Sequence, residues 1–376
     1  MEDWARNRVK ILREFGQSVW LDDLRRSFVR NGDLARLIEE DGISGVTSTP
    51  TNFVQALGAD PLYREEILSR HGSGADAKEI YKHLALQDAR EAADRLSRVH
   101  HRTAGRDGFV CLDISPRPAT DADGMIAEAR RLWAALGRPN VMIKIPGTRS
   151  GLAAVRQLTA EGINVCVTAL FGVAQYREAY EAYASGLEAR VRQGCPLAPV
   201  ASVAEIFVSQ IDTLVDERLT AISDPGEALQ ARELLGKAGV DVARFAYQDF
   251  KKLTALPRWQ VLASSGAAVQ RLLWAGTRSP NPTYSDVKYV DELIGEQTIA
   301  AASVATLSAY RDHGRPALTL ASDVYETAVL PADLRRFRID VEQVSEEIQA
   351  KAIQAWNAAY EVSLAAISAQ CGASHD

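Results

Sequence analysis

Short apolar runs alternate with longer amphipathic segments along most of this 376-residue chain. Between the runs, apolar residues recur every three or four positions, which predicts helices. The runs themselves are typical of buried strands, and they lie at about 18–23, 45–50, 108–114, 141–148, 163–170, 199–203, 268–275 and 298–302. The predicted helices lie at about 33–41, 51–101, 120–136, 151–160, 172–191, 205–219 and 226–256. Strands that alternate with helices in this way indicate parallel βα units.

A doubly wound sheet and an eight-stranded barrel both satisfy this alternation. We favour an α/β fold of the (β/α)8 TIM barrel type, because the number of runs comes near eight. Single polar residues also fall late in several runs, as an active site shared among strand ends requires. We expect one domain over 1–376, with a barrel core at about 17–314, an extra N-terminal helix at 3–15 and a helical C-terminal extension at about 315–376.

One lysine interrupts the apolar run that ends in Pro146 and Gly147. Burial disfavours the charged form of a lysine and can lower its pKa by about 3–5 units. A neutral amine is a nucleophile, so Lys144 is a candidate to form a Schiff base with a substrate carbonyl. The alternative is a structural lysine whose head group reaches solvent from the end of a strand.

Further polar side chains fall late in other runs. Asp22 ends the first run, Asp113 is the only charge within the third, and Thr168 is a hydroxyl near the end of the fifth. Thr47 and Thr49 belong to a polar stretch that ends the second run, where they could line a pocket or cap the following helix. Carboxyl ends of barrel strands are where catalytic groups gather, so these residues are candidates for one site.

Composition narrows the classes of function. The formal net charge is −6, which offers no overall attraction to nucleic acid or to an anionic membrane. No apolar segment has the length of a signal core or of a membrane span, so we expect a cytoplasmic protein. The four cysteines have neither disulfide nor zinc spacing, and the glycines form no nucleotide-binding motif, so we expect neither a metal nor a cofactor.

Five motifs in register carry a resemblance to a known family. They are SVWLDDL at 18–24, GVTSTP at 45–50, IKIPGT at 143–148, GINVCVT at 162–168 and QRLLWA at 270–275. Together they resemble transaldolase in its longer bacterial form, over about residues 17–314. The resemblance implies a (β/α)8 barrel and a class I, metal-independent transferase of carbohydrate metabolism. In that mechanism a lysine forms a Schiff base with a ketose and moves a dihydroxyacetone unit to an aldose.

The resemblance also implies roles for individual residues. Lys144 matches the Schiff-base lysine, Asp22 the acid–base aspartate and Thr168 a threonine that helps to hold a catalytic water. Asp113 stands where the family has a glutamate that partners this water. Because its side chain is one methylene shorter, we expect the water to be moved or replaced.

Several positions that the resemblance assigns to substrate binding depart from the family pattern. Thr49 and Cys166 replace asparagines, Glu205 replaces a serine, and Gln210 replaces an arginine that binds phosphate. Glutamine cannot reproduce the paired charged bonds of a guanidinium, and Glu205 would repel a dianion. Arg278 could still take a phosphate. The alternative is that Glu205 and Gln210 occupy ordinary exposed helix positions, or that the alignment is shifted by one turn.

Three functions are consistent with this pattern. The first is transaldolase-type transfer from a ketose phosphate through a lysine-bound three-carbon intermediate. The second is a Schiff-base aldolase of a specialised pathway that acts on another carbonyl substrate, which need not carry a phosphate. The third is a non-catalytic relative that binds a metabolite or a partner protein. The expected partner is a small sugar or other carbonyl compound. The helical tail could pack on the barrel or on a second subunit, so a homodimer is open.

Overall fold

Eight parallel strands close into a barrel in the computed structural model, which describes residues 7–115, 120–321 and 330–372. Each strand pairs with the next along the chain, and the last pairs with the first. The strands are β1 Ser18–Asp22, β2 Gly45–Thr47, β3 Phe109–Asp113, β4 Val141–Pro146, β5 Val165–Leu170, β6 Ser202–Phe207, β7 Arg271–Ala275 and β8 Thr298–Ala302. The predicted (β/α)8 barrel is confirmed.

Helices surround this barrel and extend beyond the eight-fold pattern. They are α1 Arg8–Ile11, α2 Arg26–Arg30, α3 Asp33–Glu40, α4 Pro50–Ala59, α5 Leu62–Gly72, α6 Ala77–Arg102, α7 Ala122–Leu136, α8 Arg149–Glu161, α9 Val173–Arg192, α10 Ser209–Thr220, α11 Pro225–Arg232, α12 Ala238–Ala255, α13 Pro257–Ser264, α14 Lys288–Glu292 and α15 Val304–His313. Two more follow, Leu330–Arg336 and the C-terminal helix Val341–Gly372. Of the helix expected at 3–15, residues 3–6 lie outside the described residues, and a 3-10 turn, Leu12–Phe15, continues α1.

The sixth strand lies further along the chain than the sequence indicates. We expected a strand at 199–203 and a helix that starts at Glu205, whereas β6 runs to Phe207 and α10 starts at Ser209. The charge of Glu205 ends the apolar run in the sequence. Inside a barrel, however, a charged residue can remain in a strand if it has a partner of opposite charge. Glu205 is 1% exposed and is therefore an interior residue.

The C-terminal helix lies across the carboxyl ends of the strands. Gln349 donates to the carbonyl oxygens of Gly147 and Ala169, at 3.1 and 2.9 Å, and Ser345 donates to that of Phe171 at 2.7 Å. Further along, Ile367 packs in a cluster with residues of α4, α5 and α6. The helix therefore packs on its own barrel and covers the end where barrel enzymes place their sites.

A polar network fills the opposite end of the barrel. Arg271, at the start of β7, is 4% exposed and lies 3.3 Å from a carboxylate oxygen of Asp107. It also donates to Ser18 Oγ at 2.6 Å and to the Thr298 carbonyl at 2.7 Å. Trp20 Nε1 donates to the same Asp107 at 2.9 Å. The partners named here are side-chain and backbone groups of the protein itself. This is expected at the amino end of a barrel, which contributes to stability and not to catalysis.

In the described residues, no helix combines the length and the apolar character needed to cross a membrane.

Candidate active site

Lys144 points into the barrel from the middle of β4 and is 1% exposed. Its Nζ donates to the carbonyl oxygen of Ser48 at 2.7 Å and to Thr47 Oγ1 at 3.2 Å. A carboxylate oxygen of Glu205 lies 3.0 Å away. The ammonium group therefore has a partner for each of its three protons, and it does not reach solvent as the structural alternative requires.

Glu205 reaches Lys144 from β6, which is two strands from β4 in the barrel. Its carboxylate accepts hydrogen bonds from Thr47 Oγ1 at 3.2 Å and from Thr168 Oγ1. The Cys166 sulfur lies 4.0 Å from the same carboxylate. Four residues that the sequence assigned to catalysis or substrate binding thus converge on one carboxylate. The sequence analysis placed Glu205 in the outer pocket or on a helix surface, and the structure places it at the lysine.

The charge state of Lys144 differs from the sequence expectation. Burial alone lowers its pKa, but the carboxylates of Asp113 and Glu205 outweigh burial, and the pKa lies well above the ordinary lysine value. The prediction of a resting neutral amine is therefore wrong. The reason is that a strand pattern shows the burial of a side chain but not how close the acids of neighbouring strands lie to it, Asp113 on β3 and Glu205 on β6.

Asp22 and Asp113 complete the set of charges near the lysine. Burial raises the pKa of Asp22 to about 7, and it raises that of Asp113 to about 6, although Lys144 opposes both shifts. Asp113 Oδ1 lies 3.9 Å from Lys144 Nζ, which is beyond hydrogen-bond distance. Asn52 Nδ2, in the first turn of α4, donates to Asp22 Oδ1 at 3.2 Å. Asp22 thus accepts a fixed hydrogen bond and exchanges its proton near neutral pH.

Two spaces lie between these residues and the C-terminal helix. The larger is a cavity of about 570 Å³. The smaller measures about 20 Å³, the size of a single water site, and is bordered by Asp113, Lys144 and Thr168. Trp356 of the C-terminal helix borders both. The larger cavity is lined by Asp22, Thr49, Thr51, Asn52, Phe171, Phe207, Gln210, Thr213, Leu214, Glu217, Gly276, Ile348, Lys351, Ala352, Ala355 and Trp356.

Of the remaining residues predicted to bind substrate, two line the larger cavity and one lies on the surface. Thr49 caps α4, since its hydroxyl accepts a hydrogen bond from the backbone N–H of Asn52 at 3.4 Å. It also lines the cavity. Gln210 lines the cavity from the first turn of α10. Arg278 is exposed on the loop after β7 and is absent from the lining as far as the described residues extend.

Comparison with known proteins gives a consistent result. A family model described as Transaldolase/Fructose-6-phosphate aldolase matches residues 19–367. A transaldolase of Thiobacillus denitrificans is 41% identical over 361 residues, which cover 96% of this chain and 99% of that protein. A transaldolase of Frankia alni is 38% identical over 369 residues, with 98% of each chain covered. This chain belongs to the transaldolase family.

Transaldolase membership confirms the resemblance drawn from the five motifs. The chain is a transferase of transaldolase type, and aldol transfer in the pentose phosphate pathway is the reaction of that type. A relative named transaldolase 2 in a Nostoc species, 40% identical over 92% of each chain, matches over nearly the same span. The roles of individual residues in this transaldolase remain proposals.

Sequence reasoning missed two parts of this transaldolase site. Asn52 brings an amide to Asp22 one helical turn after Thr49, where the family asparagine is absent. Its only signal in the sequence is its place in the first turn of a helix that starts at the end of a barrel strand. Trp356 lies over the lysine, and its ring centroid is 6.0 Å from that of Phe207. It gave no signal, because nothing in the sequence brings the C-terminal helix to the strand ends.

Proposed function

We propose that this chain transfers a ketol unit between carbonyl compounds through an iminium formed on Lys144. The observation that carries the proposal is a lysine buried at the centre of the barrel, with Asp113 and Thr168 beside it and Asp22 within electrostatic reach. An iminium withdraws electrons from the neighbouring carbon–carbon bond. The reaction as proposed needs neither a metal nor an organic cofactor.

Asp22 is the base in this proposal. It takes the proton from the hydroxyl group on the carbon that leaves. That carbon becomes the carbonyl carbon of the released aldehyde, and the electrons of the broken carbon–carbon bond move to the iminium nitrogen. The enamine that remains on Lys144 then attacks an acceptor aldehyde, Asp22 returns the proton, and water hydrolyses the new iminium. A pKa of about 7 suits this exchange, because a general base works best when its pKa lies near the operating pH.

The substrate has two candidate classes. Sugar phosphates are the class that family membership favours. Carbonyl compounds without phosphate are favoured by the cavity wall, where Gln210 stands at the arginine position and aromatic or aliphatic side chains form much of the lining. Among the described residues of that lining, the one cation is Lys351, which is bound to Glu347 at 2.7 Å. We infer that a phosphate group contributes less to binding here than the family pattern implies.

Borohydride reduction separates these possibilities. The enzyme is mixed with fructose 6-phosphate or with dihydroxyacetone, reduced, and analysed by intact mass and peptide mapping. A three-carbon fragment on Lys144 from either compound supports the lysine chemistry, and the ratio of the two yields ranks the substrate classes. The Lys144→Met variant should give no adduct. An adduct with neither compound but with another carbonyl compound supports the repurposed aldolase, and no adduct with any of them leaves the non-catalytic relative as the explanation.

Cytoplasmic location and a homodimer remain predictions. Light scattering coupled to size-exclusion chromatography tests the second, since it measures the mass of the particle directly.

A further inference from the structure

Glu205 holds a better position for proton transfer at Lys144 than any other described carboxylate near it. Its oxygens lie 3.0 and 3.3 Å from Nζ, whereas that of Asp113 lies at 3.9 Å. Its side chain is 1% exposed, and that of Asp113 is 21% exposed. Proton transfer needs hydrogen-bond contact, so the shorter distance decides between the two acids.

The lysine needs such a partner. Since the two carboxylates keep Lys144 charged, its nitrogen has no free electron pair with which to attack a carbonyl. The other two contacts of Nζ are the Ser48 carbonyl, which cannot take a proton, and the Thr47 hydroxyl, which is a very weak base. Glu205 is the acceptor to which a proton can pass directly.

We propose that Glu205 is the general acid–base group that forms and hydrolyses the iminium on Lys144, with the Thr168 hydroxyl holding its second oxygen. This inference rests on the proposed lysine chemistry and adds to it the residue that handles the protons. It moves that task from β3, where the family has its glutamate, to β6.

Glu205 alone can accept and return every proton that moves as the iminium forms. Glu205 takes one proton from the ammonium, and the free amine bonds to the carbonyl carbon while the carbonyl electron pair moves to oxygen. Glu205 gives its proton to that oxygen, takes a second proton from the nitrogen, and returns it as the carbon–oxygen bond breaks and water leaves. Ammonium, carboxylate and carbonyl become iminium, carboxylate and water. The 20 Å³ space beside Thr168 has room for the released water.

Charge is conserved at the nitrogen throughout. The iminium carries the same positive charge as the ammonium it replaces, so the carboxylate that pairs with one already faces the other. Thr47, Thr168 and the buried backbone hold Glu205 in place before the reaction, and no solvent has to reorganise. The buried pair is therefore suited to the intermediate as well as to the resting enzyme.

Two departures from the family pattern fit this placement together. The acid on β3 is one methylene shorter than expected and does not reach hydrogen-bond distance of Nζ. A carboxylate that the pattern does not include appears on β6 at that distance. We infer that the second change makes up for the first.

The test is the rate at which dihydroxyacetone becomes reducible onto Lys144, measured by quenching with borohydride at timed intervals. Glu205→Gln keeps the size of the side chain, and we expect it to slow iminium formation by about 100-fold or more, within the usual range for general acid–base catalysis. Asp113→Asn, the matched change on the other side of the lysine, should slow it less than tenfold. The reverse order would overturn the proposal and assign the protons to Asp113.

The pH dependence of the rate of iminium formation adds a second measurement. It would not change if Glu205 had a purely structural role. The titratable groups that face the pair are Asp22, Asp113, Cys111 and Cys166. In the native enzyme the rate should level off near neutral pH, since Glu205 removes the proton. In Glu205→Gln it should keep rising with alkaline pH, because only solvent base remains. Profiles of the same shape in both proteins would contradict the proposal.

Chemical rescue and a folding control complete the test. Formate should restore part of the rate in Glu205→Ala, where there is space for it, and not in Glu205→Gln. Thermal melting shows which variants are folded. If the native enzyme gives no adduct, the proposed function fails; if it gives an adduct and Glu205→Gln forms it equally fast, only this inference fails.

Discussion

The barrel contains a buried pair of opposite charges at each end. At the amino ends of the strands, Arg271 faces Asp107 at 3.3 Å, and toward the carboxyl ends Lys144 faces Glu205 at 3.0 Å. All four side chains are buried: three are at most 5% exposed, and Asp107 is 7% exposed. Removing charges from water costs free energy in both places, and fixed hydrogen bonds offset that cost in both.

The two pairs differ in the cation and in what borders it. A guanidinium stays protonated in proteins, and Arg271 is surrounded by the groups it binds. An ammonium can release its proton, and Lys144 borders a space beneath Trp356. The same physical device therefore gives a rigid end of the barrel where the proton is fixed and a reactive end where it can move.

Replacement of the reactive cation should have the largest effect on activity. Lys144→Met removes the nucleophile and should lower turnover by at least about 10⁴-fold, since no other lysine among the described residues borders that space. The variant should still fold, because Thr47 and Thr168 still hydrogen-bond Glu205, but it should melt at a lower temperature, because Glu205 stays buried without its cation. Borohydride trapping and a thermal melt check the two halves of this prediction. An adduct that persists elsewhere in the chain would refute the site.

Replacement of the structural cation should lower stability with little effect on activity. Arg271→Met leaves Asp107 buried without its cation, and we expect the free energy of unfolding to fall by about 3–5 kcal/mol. The activity of the molecules that remain folded should change little, because Arg271 lies at the far end of the barrel. Urea unfolding measures the first quantity, and kcat at low temperature measures the second.

The paired replacement sharpens this contrast. Arg271→Met combined with Asp107→Asn should recover much of the lost stability, because no unpaired charge is left inside. If Arg271→Met alone is as stable as the native protein, the ion pair of Arg271 with Asp107 does not stabilise the fold. The comparison between the two ends of the barrel would then fail.

Asp22→Asn tests the base and should affect activity and stability in opposite directions. Turnover should fall by roughly 10² to 10⁴-fold, since an amide cannot accept the hydroxyl proton. The pKa of Asp22 is about 7 in the folded protein and 3.8 without the fold, so the acid favours folding below pH 4, and this contribution is lost as pH rises to about 7. The variant should therefore be more stable than the native protein by roughly 4 kcal/mol at pH 8 and about equal to it near pH 4.

The neighbouring acid is the matched control for this variant. Asp23 binds Arg25 through an ion pair, with both carboxylate oxygens 2.8 Å from Nε. Asp23→Asn should therefore gain no stability at pH 8. It should shift the pH profile of turnover only slightly to lower pH, because the charge of Asp23 raises the pKa of Asp22 less than burial does. A gain of the same size in both variants would mean that general charge repulsion, and not burial of Asp22, sets the effect.

The strand ends could be predicted from the sequence because their pattern is local. Lys144, Asp22 and Thr168 each interrupt or end an apolar run, and the runs set their order around the barrel. Motifs in register with a known family then gave the architecture and the type of reaction. Periodicity and motif spacing were therefore enough for the frame of the site.

The charge states within the site could not be predicted from the sequence, because they depend on contacts between residues that are distant in the chain. Glu205 is 61 residues from Lys144, and its charge ended the predicted strand early, so it was assigned to a helix. The pKa of Lys144 was predicted with the wrong sign for a related reason, since the sequence does not show how close the carboxylates of Asp113 and Glu205 lie to the lysine. Trp356 arrives on a helix whose position over the strands is set by packing and by Gln349.

The smallest expected effect concerns selectivity at the cavity wall. Gln210 lies in the first turn of α10, where the helix dipole favours an anion. Gln210→Arg adds a guanidinium there, and the ratio of kcat/KM for fructose 6-phosphate to that for fructose should rise about tenfold, since charged bonds to phosphate replace neutral ones. Gln210→Met, which has a similar length and no charge, should give no such rise. If Gln210→Arg leaves the ratio unchanged, the phosphate does not approach α10, and the exposed Arg278 becomes the residue to replace next.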